Sequence, residues 1–217
     1  FHQHTTAPWL LQKLSLLGKE RTWGILEHMN AISVIGLGNP DSQYEHTRHN
    51  VGFMFLDAIA KKNKCPGFVV DKHLNALITK CKINGSQVSL VKPLTYVNQS
   101  GAVAAKMKAS SKIKPDQMIL VHDDLDIELG NTKQSFGKSS GGHKGVASVI
   151  RALKTKDFYR LRIGTATTAL RKARAQSEKR RDQFVLDFVL SPFSKREREL
   201  LQRALKDGYE KILPLIP

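Results

Sequence analysis

Ala31-Ile-Ser-Val-Ile-Gly-Leu37, followed at once by Gly38-Asn39-Pro40-Asp41, is the stretch whose reading decides the fold. The first part is short, apolar and rich in β-branched Ile and Val, which suits a strand buried on both faces. The second part supplies turn chemistry that ends it. Beyond the turn, Val51, Phe53, Met54, Phe55, Leu56, Ile59 and Ala60 recur at helical spacing, with Asn50 placed to cap them. A buried strand feeding a helix is the opening unit of a layered α/β fold.

The rest of the chain repeats that logic. Residues 74–83 and 87–91 alternate as strands around Asn84-Gly85, a strong hairpin signal. Ser100 or Gly101 opens a helix through Val103, Ala104, Ala105 and Met107. Met118-Ile-Leu-Val121 reads as a second central strand, ending at His122-Asp123-Asp124. A Gly/Ser-rich loop over 137–145 precedes a helix through Val146, Val149, Ile150 and Leu153. Residues 158–163 form a strand carrying Arg160 and Arg162, and a charged final helix starts near Ser194. Interleaved strands and helices predict an α/β fold, and the hairpin makes the sheet mixed. No internal repeat or second domain is visible.

Composition narrows the partner. The 217 residues hold 35 Lys+Arg against 19 Asp+Glu, a net +16 with pI near 10.0. Such an excess favours a polyanion, because each neutralised phosphate releases condensed counterions. A generally basic compartment, such as a mitochondrion, gives the same composition. Mean hydropathy is -0.32, and no apolar run approaches the ~20 residues that span a bilayer, so no membrane partner is expected. Cys65 and Cys81 make neither a metal cluster nor a disulfide framework; two reduced thiols in a reducing compartment are expected. Residues 1–30 read as an N-terminal extension ahead of one domain over 31–217. Phe1 in place of an initiator Met suggests processing or truncation. The extension reads equally as the remnant of an amphipathic targeting segment or as a helical arm, with Glu20 and Glu27 weakening the first.

Polar residues recur where the apolar strands end: Asn39, His49, Asn98 and Asp123. In open α/β sheets ligands bind there. A neutral imidazole takes a proton from water near neutral pH. A carboxylate on its other nitrogen fixes the tautomer and stabilises the imidazolium. Asn amides position a carbonyl or donate to a developing oxyanion. The residues alone leave open a helix cap at His49-Asn50 and a turn or metal site at His122-Asp123-Asp124.

Gly36-Leu-Gly-Asn-Pro40 with Tyr44 and Thr47-Arg-His-Asn-Val-Gly52 resembles the first signature of the bacterial-type peptidyl-tRNA hydrolases. Lys92-Pro-Leu-Thr-Tyr-Val-Asn-Gln-Ser-Gly101 is similar to that family's Lys-Pro-x-x-x-Met-Asn-x-Ser-Gly, and Val121-His-Asp-Asp-Leu-Asp126 to its His-Asp-Glu-Leu-Asp segment. Ser140-Gly-Gly-His-Lys-Gly145, Arg160-Leu-Arg-Ile-Gly164 and Asp187-Phe-Val-Leu-Ser-Pro192 follow in family order. The resemblance implies a single-domain, three-layer α/β/α sandwich around a mixed sheet. It implies hydrolysis of the ester between a peptide and the 3′ ribose of tRNA, with His49 as general base and Asp123 orienting it. Asn39, Tyr44, Asn98 and the residue at Lys144 would line the substrate site. Lys133, Lys138, Arg160 and Arg162 are the candidate tRNA contacts. No metal and no other cofactor is implied, and the chain is expected to act as a monomer outside any assembly.

Three departures bear on that expectation. Lys144 stands where the family has Asn in Gly-His-Asn-Gly, removing an amide and adding a charge. Gly164-Thr-Ala-Thr-Thr168 replaces Gly-Ile-Gly-x-Pro, and residues 171–181, at the family's lid, hold six basic residues and one acidic. Lys138 and Ser139 stand where the family often has glycines, which restricts the loop backbone. These substitutions keep a second reading open: a non-catalytic RNA-binding or ribosome-associated protein on the same fold. A serine esterase has little support, since no Gly-x-Ser-x-Gly elbow is present. The basic composition and the extension point to a mitochondrial location, with the cytoplasm as the alternative.

Overall fold

The computed structural model describes residues 31–110, 113–174 and 177–217; the N-terminal extension lies outside them. The strand after Asn30 is β1 (Ile32–Gly36), every residue of which is buried. It sits at the centre of a seven-stranded mixed sheet with β2 (Val69–Asp71), β3 (Ala76–Ile83), β4 (Ser86–Pro93), β5 (Met118–Glu128), β6 (Thr132–Phe136) and β7 (Tyr159–Ala166). The order is β2-β3-β4-β1-β5-β7-β6. The inner four strands run parallel, and the edges are antiparallel. Asn84 and Gly85 at the β3–β4 hairpin have φ of 52° and 86°, the left-handed pair that a two-residue turn of this type needs.

Helices α1 (Val51–Lys62) and α6 (Lys195–Ile212) cover one face of the sheet. Phe55, Leu56, Ile59, Leu201, Leu205 and Ile212 fill the core between them and Val34, Val121 and Leu161. Helices α2 (Gly101–Ser110) and α3 (Lys144–Leu153) cover the other face, where Val103, Met107, Val146 and Val149 pack on Ile35, Val91 and Leu120. Three layers with two apolar interfaces are therefore present. A smaller third cluster lies beside the sheet. Helices α4 (Thr168–Arg174) and α5 (Glu178–Val189) build it from Leu170, Phe188 and Val189 over Ala166. Among the described residues no helix is long and apolar enough to cross a membrane.

Three local expectations are corrected, and two strands are added. Strand β5 does not stop at Val121 but runs to Glu128, with a shift in its register against β7 between Asp124 and Glu128. A bulge of this kind re-aims side chains without ending the strand. Asn50 does not cap α1 with its side chain; that amide is spent on Asn39. The short strands β2 and β6 are absent from the sequence reading because most of their residues face solvent and carry no apolar alternation. Finally, Cys65 and Cys81 are joined in a disulfide, their Cα atoms 5.2 Å apart, rather than being two free thiols. The bond ties the end of α1 to β3, a pairing that spacing alone could not reveal.

Candidate active site

The carboxyl end of β1 lies beside the middle of β5, with Leu37 N–H donating to Val121 O at 2.8 Å. Helix α1 closes onto this point through Gly52, where any side chain would collide with the backbone of Leu37. The turn carrying His49 (Arg48–Asn50) is thus pressed against the end of β1. Two reciprocal bonds fix it from one side: Asn39 N–H donates to Asn50 Oδ1, and Asn50 Nδ2 donates to Asn39 O, each at 2.9 Å. From the other side, Arg48 anchors it. Its buried guanidinium donates to Ser191 O, Ser191 Oγ and Pro192 O, pairs with Glu197 at 2.6 Å, and lies 4.3 Å from the Phe188 ring.

His49 and Asp123 meet as expected, 2.8 Å apart from Nδ1 to Oδ1. The carboxylate can only accept, so Nδ1 carries the proton and Nε2 keeps its lone pair. The ring of His49 is partly exposed, 18%, at the floor of a cleft of about 460 Å³. Asp123 is 2% exposed. Burial alone would raise its pKa, but the His49 and His143 imidazoles outweigh this and hold it well below the ordinary carboxylate value. For His49 burial pushes downward, Asp123 pushes upward by charge and hydrogen bond, and the net shift is up; Lys144 opposes it.

Two further histidines surround the same carboxylate. His143 Nε2 lies 3.0 Å from Asp123 Oδ1, and its Nδ1 accepts from the N–H groups of Gly145 and Val146 at the start of α3. Those bonds place its proton on Nε2, so Asp123 receives an N–H from each ring. His122 is fully buried, donates from Nδ1 to the Asp123 carbonyl at 2.6 Å and meets the His143 ring edge-on at 4.7 Å. Burial, with the neighbouring His143, drives its pKa well below the usual imidazole range. Sequence reasoning assigned His143 no role and left His122 only within an open reading of His122-Asp123-Asp124 as a turn or metal site. His143 stands within the quoted Gly-Gly-His-Lys-Gly segment, which was the available signal. The ligand atoms of His49, Asp123 and His143 lie within 4.8 Å of one another, a donor set that also suits a divalent transition metal. Their 2.8 and 3.0 Å separations are those of shared protons.

The remaining candidates divide. Lys144 lines the cleft with His49, Asp123, Ser140–Gly142 and His143, opposite Val185, Leu186 and Val189 of α5. The β5 bulge brings Leu125 and Asp126 to the same wall. Asn39 and Asn98 occupy adjacent turns, where Asn39 Oδ1 accepts from Val97 N–H at 3.0 Å, and neither is among the residues that line the cleft. Asn98 is exposed, and Tyr44 is half-buried in the turn Ser42–Tyr44. Lys133 and Arg162 are cross-strand partners on β6 and β7, and Arg162 pairs with Asp124 at 2.7 Å. Lys138 is exposed. Arg160 is a correction: at 3% exposure it faces inward and donates to Ser139 O, so it braces the 137–142 loop and is not open to a phosphate. That loop tolerates Lys138 and Ser139 because its left-handed positions fall on Gly137, Gly141 and Gly142.

An open mixed sheet with a carboxylate-held imidazole at the floor of a solvent-filled cleft is the constellation of a general-base hydrolase. The family model described as "Peptidyl-tRNA hydrolase" matches residues 33–216. The chain is 42% identical over 183 residues to the peptidyl-tRNA hydrolase of Aquifex aeolicus, covering 84% of this chain and 88% of that one. It is 38% identical over 187 residues to that of Thermodesulfovibrio yellowstonii, covering 85% and 92%. The crystal structure of peptidyl-tRNA hydrolase from Acinetobacter baumannii superposes with a TM-score of 0.75 at 29% identity, covering 86% and 88%. The chain belongs to the bacterial-type peptidyl-tRNA hydrolase family.

Proposed function

We propose that this protein hydrolyses the ester that joins a peptide to the 3′ ribose of tRNA, releasing free peptide and reusable tRNA. One observation carries the reading: the His49–Asp123 bond of 2.8 Å, which leaves the His49 Nε2 lone pair for the cleft. Nε2 takes a proton from a water in the cleft as that water attacks the ester carbonyl. Asp123 holds the tautomer and stabilises the imidazolium that forms. As the tetrahedral intermediate collapses, the 3′ oxygen leaves and takes the proton back from His49. Asn39 and Asn98, in adjoining turns, hold the peptide main chain, with Tyr44 shaping that side. Lys133 and Lys138 contact tRNA phosphates, as does Arg162 where Asp124 leaves it free. Such contacts position the substrate without reading its sequence.

The biological setting follows the same reading. Peptidyl-tRNA dropped from ribosomes is the substrate, the protein works as a monomer with no stable ribosome complex required, and the compartment is the mitochondrion. Imaging the precursor with and without residues 1–30 tests the compartment; an unchanged cytosolic distribution rejects it. The decisive assay is single- and multiple-turnover cleavage of a purified N-acylaminoacyl-tRNA. His49→Ala is expected to lower kcat by about 10³-fold or more with the fold intact. Wild-type protein that binds tRNA tightly and turns over none of it would replace the hydrolase with a non-catalytic RNA-binding protein.

A further inference from the structure

The cations near the cleft are mostly committed to protein partners. Arg162 is paired with Asp124, Arg171 with Glu128 at 3.0 Å, and Arg48 is buried among acceptors. Lys144 is different. It is exposed, lines the cleft beside His49, and makes no hydrogen bond or ion pair with any described residue. Of the first-turn N–H groups of the helix it opens, those of Gly145 and Val146 are taken by His143 Nδ1 at 3.1 and 3.3 Å. Hydrolysis of an ester develops a full negative charge on the former carbonyl oxygen, and an uncommitted donor beside the general base is what that oxygen requires.

We propose that Lys144 is a catalytic residue whose ammonium group binds the scissile carbonyl oxygen and neutralises the oxyanion of the tetrahedral intermediate. The inference rests on the hydrolase reading. Water oxygen bonds to the ester carbon while its proton passes to His49 Nε2, and the carbonyl π pair moves onto the oxygen facing Lys144. Collapse reforms the carbonyl, breaks the bond to the 3′ oxygen and returns the proton to that oxygen. Lys144 keeps its three protons throughout. Substrate in the cleft displaces the water that now solvates the ammonium, which strengthens the interaction. The groups facing His49 are Asp123, Asp124 and Asp126 from β5, His143 and Lys144 before and within α3, and Asp182 from α5. Of these, Lys144 is the cation that pushes the His49 pKa down.

The test compares Lys144→Met and Lys144→Arg on two substrates: N-acylaminoacyl-tRNA and a phosphate-free N-acylaminoacyl ester of adenosine. Lys144→Met is expected to lose on the order of 10²-fold in kcat on both substrates with KM little changed. Lys144→Arg is expected to keep most of the rate. In Lys144→Met the acid limb of the pH–rate profile should also move to higher pH, because a cation opposing protonation of His49 has gone. An unchanged kcat on both substrates overturns the proposal. A loss confined to KM for the tRNA substrate overturns it too, by making Lys144 a phosphate contact. If wild-type protein cleaves neither substrate, it is the hydrolase reading itself that fails, whereas an active wild type with an unaffected Lys144→Met overturns only the role of Lys144.

Discussion

The floor and the roof of the cleft are built by different means. The floor (His49, Asp123 and His143) lies over the parallel part of the sheet, and each polar group there has a short bond to another. The roof, α4 and α5, rests on a small apolar cluster around Leu170, Phe188 and Val189 and on exposed pairs such as Arg171–Glu128. Leu186 shows a 50% exposed side chain toward the cleft. A buried polar network of this kind fixes geometry, whereas a small satellite core opens at low cost. The polar network is thus on the sheet side of the cleft and the small apolar cluster on the helical side.

Three substitutions sharpen that contrast. The largest effect belongs to the floor. Asp123→Asn should lower kcat by about 10³-fold, the scale of a misdirected general base. Its sign in pH is also set. Asp123 raises the His49 pKa above 6.5, so the wild-type acid limb lies above the ordinary imidazole value. Without that carboxylate the limb moves to lower pH while the plateau falls, and a pH–rate profile reads both. Arg48→Ala comes next, because Arg48 joins floor to roof. It should cost about 3 kcal/mol in denaturant-measured stability, since Glu197 and the Ser191 and Pro192 carbonyls lose a largely buried partner. A loss near zero would mean that the two regions are not coupled through this residue. Arg171→Ala on the roof should be the smallest. Its pair with Glu128 joins side chains 59% and 65% exposed, and stability should change by less than about 1 kcal/mol.

The difference between the regions also explains what was readable in the sequence. The buried strand at Ile32–Gly36, the Asn84-Gly85 hairpin and the helix beginning after Ser194 are local patterns, and their periods and turn residues are printed in the chain. Ser194 accepts from Glu197 N–H in a capping box, as that kind of start predicts. The His49–Asp123 contact was legible through the family motifs; no spacing rule joins positions 74 residues apart. What escaped was made by neighbours in space. Regular pairing with Arg162, Ile163 and Gly164 of β7 carries strand β5 through His122-Asp123-Asp124, residues that look like a loop. Arg160 looked like a surface cation until the 137–142 loop folded over it. The Cys65–Cys81 bond depends on where α1 ends relative to β3, which no one-dimensional pattern records.

Arg48 carries one more consequence, concerning the order in which the protein is made. A growing chain already holds His49, Asp123, His143 and the cleft-lining side chains by the time position 189 has been added. Its guanidinium meets Ser191, Pro192 and Glu197 only with the next few residues, and Phe193 N–H then closes on His46 O. The turn that presents the catalytic imidazole is therefore locked only after the cleft residues are made, by the stretch that begins the final helix. A product that ends near position 189 would contain the whole catalytic inventory and still lack the clasp that aims it.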